Sequence, residues 1–219
     1  MTITKKATVN KFNGRNGWKP DIIVLHTADG TYDGTVGWMQ NSASQVSSHF
    51  VVAKDGRITQ LVDIKDGAWC NGTSTDPTKN TYYGKASLAA VRERKTNANY
   101  YTVSIEHEGF WAETKGKLTD AQLASTIALI KYIIAEVKTQ FGVDIPIDRE
   151  HIVGHCQISP VTRPNCPGAQ MQWDAIISAL KGGEQGDAVD YRTLYNDLLA
   201  KHNGMLAGLQ SLLDKYKEA

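Results

Sequence analysis

Asp21-Ile22-Ile23-Val24-Leu25-His26-Thr27 is a short, unbroken apolar run that ends on a histidine. Such a β-rich run reads as a buried strand. Its histidine would then stand at the end of a sheet. Asp29-Gly30 and Asp33-Gly34 mark a loop after it, with a short helix expected around Val36–Asn41. Ser48–Ala53 reads as a second strand, Lys54-Asp55-Gly56-Arg57 as a tight turn and Ile58–Val62 as the returning hairpin partner.

Residues 71–99 are rich in Asn, Thr, Lys, Gly and Tyr and read as a long surface loop, with a short helix near Ala86–Arg94. Loops of this length in compact domains are often functional. Tyr101–Glu108 is another strand, with Ser104, Glu106 and Glu108 expected on one face and Ile105 and His107 on the other. Thr119-Asp120-Ala121-Gln122 opens the clearest helix, with Thr119 as cap and Gln122 completing a capping box. Leu123, Ile127, Ile130, Ile134 and Val137 follow at helical spacing, and Gly142 closes the helix. Ile152-Val153 is a short strand and Trp173–Leu180 a second amphipathic helix. This succession of strands and helices predicts an α/β domain over residues 1–181.

Residues 182–190 read as a linker. In residues 191–219, Tyr195, His202, Leu209 and Tyr216 form one row at heptad spacing, and Leu198, Met205 and Leu212 another. This helical tail either self-associates as a small coiled coil or docks on the main domain. Gly204 and Gly208 each cost about 1 kcal/mol of helix propensity, which disfavours a free helix. We favour self-association, and with it a homo-oligomer.

The formal net charge of +1 implies no bulk attraction to nucleic acid or membrane. No apolar run approaches the roughly 20 residues that cross a bilayer. Met1–Lys6 lacks the apolar segment of a signal peptide, so synthesis as a soluble cytoplasmic chain is expected. The three cysteines, Cys70, Cys156 and Cys166, do not form a disulfide framework, which suits a reducing compartment.

The chemistry concentrates in Gly154-His155-Cys156-Gln157-Ile158-Ser159-Pro160-Val161-Thr162-Arg163-Pro164-Asn165-Cys166-Pro167-Gly168, read as a loop stiffened by three prolines. His155, Cys166 and the distant His26 offer two imidazoles and a thiolate. Catalytic zinc favours three protein ligands with a fourth position open to water. Glu106 or Glu108 supplies a base. Both acids lie just before Gly109-Phe110-Trp111, a setting that suggests a cleft wall.

These segments, in order, resemble the type 2 zinc-dependent N-acetylmuramoyl-L-alanine amidases, which include phage endolysins and peptidoglycan recognition proteins. The similarity rests on Ile23–Ala28, Ser48–Val52 with Asp55–Ile58, Ala68-Trp69, Ser104–Glu106, Leu118–Gln122, and Ile152–His155 with Cys166–Gly168. It implies a central mixed β-sheet flanked by helices. It also implies zinc on His26, His155 and Cys166, with Glu106 as catalytic glutamate. The implied substrate is bacterial peptidoglycan, cut between N-acetylmuramic acid and L-alanine. Without a leader, the chain would reach the wall as a phage or prophage endolysin released by a holin.

Three positions depart from the family pattern. Pro164 stands where many relatives carry a lysine that steadies the oxyanion, and the neighbouring Arg163 is expected to take that role. Ser48 replaces a tyrosine, and Cys70 replaces a histidine after Trp69. Trp69 is either a substrate-stacking residue or a core aromatic. Two other functions compete: a non-catalytic peptidoglycan-binding module, and a cysteine peptidase using Cys156 or Cys166.

Overall fold

The computed structural model describes residues 1–182 together with His202 and Met205. Its strands are β1 (Ile3–Lys5), β2 (Lys11–Phe12), β3 (Ile22–Thr27), β4 (Phe50–Val52), β5 (Ile58–Gln60), β6 (Gly67–Ala68), β7 (Thr102–His107) and β8 (Ile152–Gly154). Its helices are α1 (Tyr32–Gln40), α2 (Ala89–Arg94), α3 (Trp111–Thr114), α4 (Asp120–Phe141), α5 (His155–Ile158) and α6 (Trp173–Leu180). Met1–Lys181 is one compact unit. The linker and tail expectations lie outside the described residues, apart from Gly182, His202 and Met205.

Six strands form a mixed sheet in the order β1-β5-β4-β7-β3-β8. The β4–β5 hairpin is antiparallel and every other pairing in that sheet is parallel. β2 and β6 form a separate antiparallel pair. Strands buried on both faces need cover on both sides. Ile23, Leu25, Val103 and Ile105 pack with Ile130, Ile133 and Val137 of α4 and Ile176 of α6. On the other face Ile22, Val24 and Val153 pack with Leu88 and Val91. The expected central mixed sheet flanked by helices is the observed fold.

Local details differ from the sequence reading where side chains found other partners. α1 begins at Tyr32, ahead of the expected Val36, because the Thr31 side chain accepts from Gly34 N at 3.3 Å and caps it. Thr119 caps α4, accepting from Gln122 N at 3.1 Å. Gln122 does not close a capping box. Its amide donates to Val52 O at 3.0 Å and Glu108 O at 3.1 Å, tying the helix to the sheet. Gly142 ends α4 at φ 69°, a left-handed conformation that glycine adopts without strain. The stretch after Gly154 is not all loop: His155–Ile158 makes one helical turn, with Gln157 Oε1 accepting from Gly154 N at 3.0 Å.

A buried polar cluster joins the N-terminal segment to the sheet. Arg15, only 4% exposed, donates to Ile64 O at 2.7 Å, Tyr100 O at 3.1 Å and Thr102 O at 3.0 Å. It also meets His49 Nε2 at 3.0 Å. His49 Nδ1 lies 3.0 Å from Ser104 Oγ. His49 is therefore buried and hydrogen-bonded. Burial, then Arg15, lowers its pKa from 6.5 to about 3.

The unfolded chain thus binds a proton at this site through a range where the folded chain does not. The stabilisation is complete above pH 6.5 and is lost as pH falls toward about 3. Melting temperature should fall across that window, and His49→Gln should flatten the slope. An identical slope in the variant would contradict this account.

Candidate active site

Parallel register brings the site together. β3 lies between β7 and β8, with His26 opposite Glu106 and Leu25 opposite Gly154. Parallel neighbours in register point to one face, and alternation puts Ile22, Val24 and His26 on the same side. His155 follows β8 directly. Residues remote in sequence thus meet at the carboxyl ends of adjacent strands, where ligands bind in open α/β sheets.

Cys166 comes in on the loop after α5. Thr27 Oγ1 donates to Pro167 O at 2.7 Å, and Cys156 N donates to Cys166 O at 2.8 Å. The loop also needs glycine where backbones touch. A Cβ on Gly168 would stand 2.0 Å from Lys115 O, and one on Gly154 would stand 2.6 Å from Pro167 Cδ. These glycines set the depth of Cys166 between its neighbours.

Ligand atoms of His26, His155 and Cys166 all lie within 4.8 Å of one another, a set able to hold a metal ion. His26 Nδ1 is 3.8 Å from Cys166 Sγ and 3.7 Å from Glu106 Oε1. The two imidazole rings meet edge to face at 4.5 Å. His26 Nε2 and Glu106 Oε2 are buried without a hydrogen-bond partner. Leaving the Glu106 oxygen unpaired beside the three donors costs about 1–3 kcal/mol, which marks a site built to receive something.

Burial dominates the electrostatics. It holds His26 well below 6.5, with His155 adding to the effect. It lowers His155 to about 3 and raises Glu106 to about 8. It pushes the Cys166 thiol up to about 12, with Glu106 adding to the rise. Neutral imidazoles are the form that binds metal. A cation among these groups would reverse the shifts of Glu106 and Cys166.

A cavity of about 650 Å³ contains all three candidate ligands, Glu106, Arg163 and Trp69. Arg163 is exposed at its edge, and its charge acts on Glu106 and both imidazoles. Trp69 is half-buried, edge-to-face with Phe12 at 5.6 Å. Glu108 leaves the expected face: β7 ends at His107, and Glu108 Oε2 accepts from Lys54 N at 2.8 Å. Glu106 is no edge-strand residue, because β7 is flanked by β4 and β3.

Cys70, Trp38 and Asn99 also border the cavity and went unassigned in the sequence reading. Cys70 carried a signal in its position after Trp69. Trp38 and Asn99 carried none that separates them from ordinary surface residues. Cys156 is absent from the cavity lining, and burial raises its thiol pKa. That is a poor setting for a nucleophile.

An α/β domain that gathers two imidazoles, a thiol and a buried carboxyl at adjacent strand ends has the layout of a metal hydrolase. The chain belongs to the N-acetylmuramoyl-L-alanine amidase family, matching it over residues 16–169. It is 28% identical over 173 residues to N-acetylmuramoyl-L-alanine amidase A of Achromobacter lyticus, covering 74% of this chain and 83% of that one. It is 31% identical over 137 residues to the 1,6-anhydro-N-acetylmuramyl-L-alanine amidase AmpD of Haemophilus influenzae, covering 63% and 60% respectively.

Among solved structures, PlyL is similar with a TM-score of 0.56 at 19% identity, over 84% of this chain and 99% of that one. AmiD from E. coli, solved with anhydro-N-acetylmuramic acid-L-Ala-D-γ-Glu-L-Lys, is similar with a TM-score of 0.53 at 24% identity. That match covers 79% of this chain and 62% of AmiD. These two likenesses establish the fold.

Proposed function

We propose that the chain hydrolyses the amide between the lactyl group of N-acetylmuramic acid and L-alanine in peptidoglycan, with zinc held by His26, His155 and Cys166. The observation that carries this reading is the convergence of the three donors within 4.8 Å beside a buried carboxyl. Tetrahedral zinc with ordinary Zn–N and Zn–S bonds separates its nitrogen and sulfur ligands by about 3.6 Å. The 3.8 Å between His26 Nδ1 and Cys166 Sγ lies close to that separation.

The chemistry such an ion supplies when bound is Lewis acidity, polarising the scissile carbonyl and acidifying water. Glu106 takes a proton from the attacking water as its oxygen joins the carbonyl carbon. It returns that proton to the alanine nitrogen as the C–N bond breaks. Arg163, at the cavity edge, steadies the negative charge that develops on the carbonyl oxygen.

A non-catalytic module is disfavoured because all three donors and the carboxyl are present together. For the biological setting, we read the chain as a lytic enzyme of phage or prophage type acting on the intact wall. A second setting, release of stem peptides from 1,6-anhydro fragments, is suggested by the names of the AmpD relatives.

Purified protein should clear suspended Gram-positive walls, stop on addition of EDTA and resume with zinc. Clearing that survives chelation but is abolished by iodoacetamide would replace this reading with a thiol mechanism.

A further inference from the structure

Trp38, Trp69 and Trp111, three of the chain's five tryptophans, border the one cavity that holds the catalytic groups. They come from three separate elements: α1, the segment after β6, and α3. Trp69 and Trp111 are half-buried with Nε1 shielded and unpartnered. What they offer the cavity is therefore ring carbon rather than an N–H donor. Lys115 Nζ sits 3.7 Å from the Trp111 ring centroid and holds that ring in place.

Trp38 differs from both. It is 57% exposed, so a large apolar surface faces water at the edge of the cavity. Its support is rigid. Asn10, 2% exposed, places its amide nitrogen 2.9–3.2 Å from Met39 O, Asn41 O, Ser44 Oγ and Val46 O, which share its two N–H donors. Thr8 Oγ1 adds a 2.6 Å bond to Met39 O. The end of α1 is thus pinned from beneath while its indole stands free. An exposed aromatic on a fixed platform loses little entropy when it receives a flat partner.

We propose that Trp38 is a sugar-stacking residue that extends the catalytic cavity along a glycan strand, making polymeric peptidoglycan the preferred substrate over single-sugar fragments. This rests on the amidase reading above. The C–H face of a pyranose meets the electron-rich face of an indole favourably, and such contacts need no sequence of donors and acceptors. A fragment with one sugar reaches Glu106 without occupying the edge. A strand continues past it, and the continuity of Trp38 with the cavity gives its next sugars a surface.

The test compares wild type, Trp38→Ala and Trp38→Tyr on cross-linked sacculi and on a soluble one-sugar muramyl peptide. The ratio of kcat/KM for sacculi to that for the fragment should fall about tenfold in Trp38→Ala, the size of a lost aromatic contact. It should recover in Trp38→Tyr. Co-sedimentation with glycan strands stripped of stem peptides should weaken in parallel. An unchanged ratio, or equal loss on both substrates, would overturn the proposal. If the wild type cleaves neither substrate yet binds stripped strands through Trp38, the amidase reading fails and the glycan surface stands.

Discussion

Glu106→Gln should lower kcat by about 10²–10⁴-fold, the range for loss of a general base, while leaving metal content unchanged. The glutamine is nearly isosteric and removes the one group positioned to move the proton. His26, His155 and Cys166 remain in place to bind the ion. Stability should not fall, because Glu106 Oε2 is buried without a partner and burial already disfavours its charged form. A variant that loses rate and keeps its melting temperature and zinc thus has the signature of a catalytic carboxylate. Full activity would move the base elsewhere, and concurrent metal loss would make Glu106 a ligand.

Cys166→Ser should have a different signature. A serine hydroxyl is a weak ligand beside a thiolate, and the loop that carries it is fixed by Thr27 and Cys156, so no neighbour moves in to replace it. Zinc affinity should drop by at least about a hundredfold, the upper range seen when only supporting groups around a metal are removed. Activity should follow zinc occupancy and return in part at high zinc. Competition with a chromophoric chelator measures this directly. Unchanged affinity would exclude Cys166 from the metal site. Activity lost at full zinc occupancy would instead favour a nucleophilic thiol.

The four central residues were legible in the sequence because each punctuates its segment. His26 ends an apolar strand, Glu106 interrupts one, and His155 and Cys166 bracket a proline-rich stretch. Their convergence was not legible from any one segment. It depends on β3 pairing with β7 and β8, whose partners lie far along the chain. Order of motifs supplied that expectation, and strand register accounts for it.

The choice of Glu106 over Glu108 shows where alternation stops being a guide. Once β7 ends, Glu108 turns to the Lys54 amide. The capping box failed for a similar reason, since Gln122 bonds to two sheet carbonyls instead of its own helix end. Trp38 lay in a helix whose start was misplaced and whose pattern gave no sign of a cavity. Its exposure is a property of packing, visible only once α1 is set against Asn10.

The central claim is the identity of the bond broken. Zinc-loaded protein incubated with a defined muramyl peptide, and its products weighed by mass spectrometry, tests it most directly. The account predicts an intact N-acetylmuramic acid with a free lactyl carboxylate and a peptide with a new N-terminal alanine. A cut glycosidic bond, or a peptide cleaved beyond its first alanine, would contradict it.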